Sequence, residues 1–326
     1  MQKKNQIQES LFDLIRKNIP AHINLAEKVA EVLTIGIDPV YRRIRGENLL
    51  TLEEAEKLCK YFGLSFDALL YGTEKMQYSL VPSDIREIKS YVAYAKELSS
   101  ITENFSPTSK SEVRIIAADI PAFHYAAYKE LSLFNLFSWD KNIYDYPESF
   151  EDFLKRLGDP VTQYNEKIFL NFQNTPSTEI WTDNTIDSTL KLIKYHFEME
   201  HFCDKQTPVT ICEQILDLVY TLQEWIKKGA KGANNTPFKF YINEIDIGNT
   251  LILIKNEAQS RCVVRLFTIN GLNIKDDMFC NEVENWFDNL IKRSTLISSV
   301  STTERFKFLT SQKQKINTLI DYIKSF

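Results

Sequence analysis

Arg42, Arg43 and Arg45 lie within four positions of one another, in a short segment bounded by Pro39 and Gly46. A guanidinium is permanently charged and donates hydrogen bonds in a planar fork. That fork suits phosphate oxygens and the two acceptors that guanine presents in a DNA groove. Farther along, His196, Glu200, His201 and Cys203 crowd one stretch with side-chain types that can hold zinc. Their spacing, His-x-x-x-Glu-His, is not that of a zinc-protease helix. His196 and Glu200 share a helical face, while His201 falls about 100° further round. They read as packing and surface residues. No G-x-S-x-G elbow, H-E-x-x-H motif or C-x-x-C pair occurs, and nine glycines supply no phosphate-cradling loop. Asp276-Asp277 reads as a helix N-terminus favoured by negative charge. No catalytic residue, metal site or cofactor is therefore expected.

The arginines need a helix to carry them. Asp38-Pro39 is a strong start signal, because Asp caps free amides and Pro suits the first helical position. The predicted helix runs from Pro39 to Arg45 and is closed by Gly46 as a left-handed cap. Tyr41 and Ile44, three apart, are expected to face inward, leaving Arg42, Arg43 and Arg45 outward. Upstream, residues 8–18 place Leu11, Phe12 and Ile15 on one face and stop at Pro20. A second helix starts near Asn24, with Leu25, Ala26, Val29, Ala30, Val32 and Leu33 as its stripe, and breaks at Gly36. Downstream, Thr51-Leu-Glu-Glu54 is a capping box that opens a fourth helix burying Leu52, Ala55, Leu58 and Cys59. Ser65 is expected to cap a fifth, Phe66 to Leu70.

Tyr41-Arg-Arg-Ile-Arg-Gly-Glu47, followed by Thr51-Leu-Glu-Glu-Ala-Glu-Lys-Leu-Cys-Lys-Tyr-Phe-Gly-Leu-Ser-Phe-Asp-Ala-Leu-Leu70, resembles the Cro/C1 (XRE) phage-repressor helix-turn-helix family. The resemblance covers residues 8–72. It implies that the second and third helices form a DNA-reading unit with the third in the major groove. It makes Arg42, Arg43 and Arg45 candidates for base edges or phosphates, and Asn24 and Lys28 candidates for backbone contacts. One departure stands out. The stretch from Leu25-Ala26 to Tyr41 exceeds the family's tight turn by about one helical turn's worth of residues, around Val32 to Ile37. Self-cleaving members use a Ser/Lys dyad and an Ala-Gly bond, and no Ala-Gly dipeptide occurs here.

At 326 residues the chain is long enough for two domains, since one core rarely grows past about 250–300 residues. Residues 1–75 hold eleven Lys/Arg and eleven Asp/Glu, so the remainder carries all of the net charge of −5. A local basic cluster docks a helix on DNA, and an acidic remainder is held away from phosphate. Five cysteines, an odd number, argue against a disulfide framework and fit a reducing cytoplasm. No run of about eighteen apolar residues exists, so no membrane span is expected.

Residues 84–104 carry Ile85, Ile88, Val92, Ala95 and Leu98 at helical spacing. They read either as an ordinary packed helix or as a dimer-forming linker. Phe105 to Glu112 reads as a hinge. Strands are expected over Val113–Ala118 and Thr178–Trp181, with three more over Phe238–Ile245, Thr250–Lys255 and Arg261–Ile269. Helices are expected over Pro121–Phe137, Ile186–Phe202, Val209–Lys228, Asp276–Lys292 and Thr303–Lys324. The aromatics Phe123, Tyr125, Tyr128, Phe134, Phe137, Trp139, Tyr144 and Tyr146, with His124, are either a large core or the lining of an effector pocket.

The fold expected is an all-α helix-turn-helix domain of five helices (1–75), a linker helix and hinge (76–111), and a larger α/β or α+β domain with an antiparallel portion (112–326). The expected function is a sequence-specific transcription regulator that binds double-stranded DNA as a homodimer. Its C-terminal domain would dimerise or sense a small-molecule or peptide effector. A protein-binding, antitoxin-like head and a DNA-targeted enzyme are the alternatives.

Overall fold

The computed structural model describes residues 6–19, 23–64, 78–81, 88–103, 111–144, 147–157, 161–255, 260–266 and 269–326. The chain divides into a unit of residues 1–76 and a unit of residues 77–326. The fifth helix expected at Phe66–Leu70 lies outside the described residues, as does the hinge up to residue 110.

The smaller unit contains α1 (Gln6–Asn18), α2 (Leu25–Leu33), α3 (Ile37–Ile44) and α4 (Leu52–Phe62). Their apolar stripes meet in one core built around Leu11, Phe12, Ile15, Val29, Val40 and Leu58. Helix ends follow local chemistry. The Asn24 side chain accepts from the Ala26 amide to start α2, and the complete Thr51/Glu54 capping box starts α4. Gly46 and Gly63 take positive φ after α3 and α4, a conformation that costs glycine nothing.

The larger unit is a mixed sheet with helices. Its elements are β1 (Tyr78–Val81), α5 (Ile88–Glu103), β2 (Glu112–Ala117), α6 (Ala122–Tyr125), α7 (Lys129–Tyr144), α8 (Phe150–Leu157), α9 (Thr162–Gln173) and β3 (Ser177–Trp181). Next come α10 (Asp187–Glu198), α11 (Gln206–Lys228), β4 (Ala230–Lys231), β5 (Thr236–Ile242), β6 (Leu251–Lys255), β7 (Arg261–Arg265) and β8 (Gly271–Ile274). The last are α12 (Asp277–Ile291), β9 (Thr295–Leu296) and α13 (Thr302–Ser325). The strand order is β1-β8-β7-β6-β2-β3-β5, and β4 and β9 both pair with β5. Among the described residues, parallel pairing is confined to β2, β3 and β5, and every other pair is antiparallel.

Period-two alternation sorts the strand residues between two faces. Val113, Ile115, Trp181, Phe238 and Phe240 enter the main helical core, while Ile116 and Ile180 pack with Phe287 of α12 on the opposite face. Tyr91 and Ala95 of α5 are buried in that main core, and the Tyr91 hydroxyl donates to the buried Asp140 of α7. Of the two readings open for this helix, packed element or dimer-forming linker, residues 88–103 are a packed part of the larger unit. An amphipathic stripe alone does not say which body the helix buries itself in.

Charge sits inside this core. Glu179, fully buried at the middle of β3, lies with both carboxylate oxygens 2.9–3.0 Å from His124 Nε2 and accepts from Trp181 Nε1 at 2.8 Å. Burial raises the Glu179 carboxyl, but His124, Lys231 and Trp181 together outweigh it, and the group ends below the usual carboxylate range. Lys231 of β4 is equally enclosed. Its Nζ donates to Ser177 Oγ at 2.8 Å and stands 3.2 Å from the centre of the Phe172 ring. Burial drives the Lys231 ammonium well below its ordinary pKa, with the Glu179 charge opposing. Glu179→Gln leaves two basic groups buried beside a neutral amide. The expected cost is about 3–5 kcal/mol in urea unfolding followed by tryptophan fluorescence. All four tryptophans lie in the larger unit, so the signal reports that unit alone.

His196, fully buried on α10, is held neutral: burial first, then His201 and Lys141, push its imidazole down to about 4 from 6.5. The unfolded chain takes up that proton near the ordinary value. The contribution is therefore whole above pH 6.5 and lost as pH falls towards 4. The expected acid-side loss is about 3 kcal/mol larger in the native chain than in His196→Asn, read from urea titrations across that window.

Candidate functional site

The basic segment is a helix, with its register shifted from the one expected. α3 begins at Ile37 behind Gly36, two residues earlier than the Asp38-Pro39 signal indicates, and no side chain caps it. Pro39 falls inside the first turn, where backbone amides have no helical acceptor, so its missing N–H costs nothing there. Val40 is fully buried and Ile44 half-buried, one helical turn apart, whereas Tyr41 is 41% exposed. The inward pair is therefore Val40 and Ile44, a correction to the expected pairing of Tyr41 with Ile44. A four-residue spacing lies nearer the helical repeat than a three-residue one. Rotating the face in this way sends Arg42 and Arg45 outward beside Tyr41 and brings Arg43 to the flank.

Arg43 is held intramolecularly. Its Nη2 and Nε reach the two oxygens of Glu54 at 2.8 and 3.1 Å, and its Nη1 donates to the Pro39 carbonyl at 3.2 Å. Both partners of that ion pair are largely buried. Burial raises the Glu54 carboxyl, yet Arg43 and the Thr51 amide bring it below the usual range. By contrast, the Arg42 side chain is exposed and makes no hydrogen bond or ion pair among the described residues. Arg45 pairs with Glu47 at 2.7 Å, but both groups stand in solvent, where such pairs contribute about 0–1 kcal/mol and exchange readily.

The two candidates on α2 have local partners. Asn24 is exposed and is the N-cap of the helix. Lys28 reaches Glu31 at 2.9 Å and sits 5.0 Å over the Tyr61 ring, and its ammonium is raised chiefly by the Glu31 hydrogen bond. α2 and α3 are joined by Thr34, Ile35 and Gly36 alone. The residues that made this stretch look long are absorbed mostly by the helices themselves: Val32 and Leu33 complete α2, and Ile37 opens α3. Thr34 turns the chain in the left-handed region at φ 56°, an uncommon place for a β-branched residue.

Gln8 is the residue that the sequence reading passed over. Its amide nitrogen donates to the carbonyls of Arg43 and Asn48 at 2.7 and 2.9 Å, and its oxygen accepts from the Leu50 amide at 2.8 Å. One buried side chain thus ties α1 to the end of α3 and to the loop before α4. The signal was available. Gln8 falls at helical spacing with Leu11, Phe12 and Ile15, a polar residue on a buried face.

Elsewhere, the structure closes α10 at Glu198 and turns the chain at Glu200, which has φ 55°. His201 therefore folds back, its Nδ1 2.8 Å from His196 Nδ1, while His196 Nε2 meets Ser138 Oγ at 3.1 Å. Cys203 is exposed. Among the described residues, no group of three His, Cys, Asp or Glu side chains is placed to hold a metal ion, and no helix is long and apolar enough to cross a membrane. No protein family, curated protein or solved structure matches this chain.

Arg43 and Arg42 should separate cleanly. Arg43→Ala is expected to remove roughly 2 kcal/mol from the smaller unit, the scale of charge-assisted hydrogen bonds, whereas Arg42→Ala stays within about 0.5 kcal/mol. Hydrogen exchange of the α3 and α4 amides reads this unit directly.

Proposed function

We propose that the smaller unit is a helix-turn-helix DNA-binding head and that the chain is a transcription regulator. The observation that carries this reading is the outward face of α3. Arg42 makes no side-chain hydrogen bond or ion pair among the described residues, and the partner of Arg45 is an exposed carboxylate. The same helix is braced from behind by the Arg43–Glu54 pair and by Gln8. A rigid helix with solvent-facing guanidinium groups is what reading a major groove requires, because base edges discriminate only when the reader is held in place. The three-residue connection from α2 and the resemblance over residues 8–72 support the same reading.

In this proposal Arg42 and Arg45 meet bases or phosphates, and Tyr41 lies at the rim. The exposed Asn24 end of α2 abuts the DNA backbone, where free helix amides favour an anion. Arg43 is a positioning residue. The net negative larger unit would stay off the phosphates and would serve as the dimer-forming or effector-sensing part, setting the spacing of two heads on DNA.

The test is a salt-titrated selection of full-length protein against randomised duplex DNA. An enriched motif whose affinity falls with salt is expected. In Arg42→Ala combined with Arg45→Ala, affinity should drop at least about tenfold and the salt slope should shrink by about two. Unchanged binding by that variant, with its fold intact, would remove α3 as the reader.

A further inference from the structure

The main core of the larger unit is not filled. Between α5, α7 and α9 on one side and β6 and β7 on the other lies a cavity of about 90 Å³. Ala95, Ala122 and Ala126 line it, and a leucine at any one of these positions would occupy much of the space. Interiors are ordinarily packed as densely as organic crystals, so three small residues around one void leave room that a ligand can use.

One wall is polar. Asn135 and Asn165, each more than nine-tenths buried, line the cavity together with Ser132. Their amide nitrogens are used within the protein: Asn135 donates to the Leu131 carbonyl at 2.9 Å, and Asn165 donates to Ser132 Oγ at 2.8 Å. Their carbonyl oxygens accept no hydrogen bond among the described residues. Both residues line the cavity, so an occupant that brings a hydrogen-bond donor meets an acceptor at its wall. Among the described residues, no Lys, Arg, His, Asp or Glu lines the cavity, so a charged occupant would meet no counter-charge there.

We propose that this cavity binds a small uncharged ligand with an apolar body and one hydroxyl or amide head, of the size of a short branched alcohol. The apolar body lies against Ile252, Ile254 and Val263 of the sheet, and the head donates to the Asn135 side-chain oxygen. An engineered 150 Å³ cavity is large enough for benzene, so a cavity of 90 Å³ takes a somewhat smaller molecule. The proposal gives a ligand class to the sensing role suggested for this unit, but it rests on the cavity and not on DNA binding by the head.

Full-length protein carrying ¹³C-labelled isoleucine methyl groups would be titrated with 2-propanol and, separately, equilibrated with xenon. 2-Propanol is expected to shift the methyls of Ile168, Ile252, Ile254 and Ile269 saturably, leaving Ile37 and Ile44 of the smaller unit unmoved. Asn135→Leu should weaken 2-propanol at least tenfold while xenon still enters. Ala126→Leu should exclude both; if that variant does not fold, the native chain and Asn135→Leu still decide. No saturable shift with 2-propanol, or 2-propanol binding unaltered by Asn135→Leu, would reduce the cavity to a packing void or a water site and overturn the proposal.

Discussion

Both oxygens of the Glu54 carboxylate are in use, and the geometry of the smaller unit hangs on how they are shared. One accepts from the Thr51 amide, completing the cap of α4, and also from Arg43 Nε; the other accepts from Arg43 Nη2. A single side chain therefore fixes where α4 starts and how α3 is rotated against it. Charge-assisted, two-pronged pairs of this kind are directional as well as strong. Because Arg43 is drawn to the flank, the rotation that buries Val40 also turns Arg42 and Arg45 to solvent. Gln8 holds the far end of the same helix through the Arg43 carbonyl and the following loop through Asn48 and Leu50, so α3 is restrained at its flank and at its C-terminus.

The larger unit solves a different problem, that of enclosing charge. Glu179 sits on the central parallel strand; His124 hydrogen-bonds it from a short helix after β2, and the charge of Lys231 acts on it from a strand after α11. Such a cluster stabilises only when every member is present, since removing one leaves the others buried without compensation. Its members come from positions 124, 179 and 231, which ties the β2–α6 segment, β3 and β4 to a common point. The neighbouring cavity is the converse: small residues and two amides where the core could have been filled with leucine.

Local chemistry was legible from the residues; long-range partnership was not. The Thr51/Glu54 capping box, the left-handed Gly46 and the start of α2 at Asn24 all depend on residues within one turn, and each is where the sequence puts it. The strands β2, β3, β5, β6 and β7 and the long helices α11, α12 and α13 carry clear periodicity, and their expected bounds need only small adjustments. The short strands β8 and β9 escaped because tertiary pairing, not propensity, makes them; α8 and α9 were missed as well, although Phe150, Phe153 and Leu157 stand at helical spacing in α8. For the same reason, three arginines that look equivalent in sequence are not equivalent in the fold. Glu54 is eleven residues from Arg43, and nothing in their spacing announces the pair.

The central claim is that α3, presented by Glu54 and Gln8, is the surface that meets DNA. Hydrogen exchange of the full chain, free and bound to a selected duplex, tests it most directly. The account predicts slowed exchange at α3 and at the Asn24 end of α2, with the outer face of α4 unchanged. Protection centred on α4, or a bound duplex that leaves α3 exchanging as in the free protein, would contradict it.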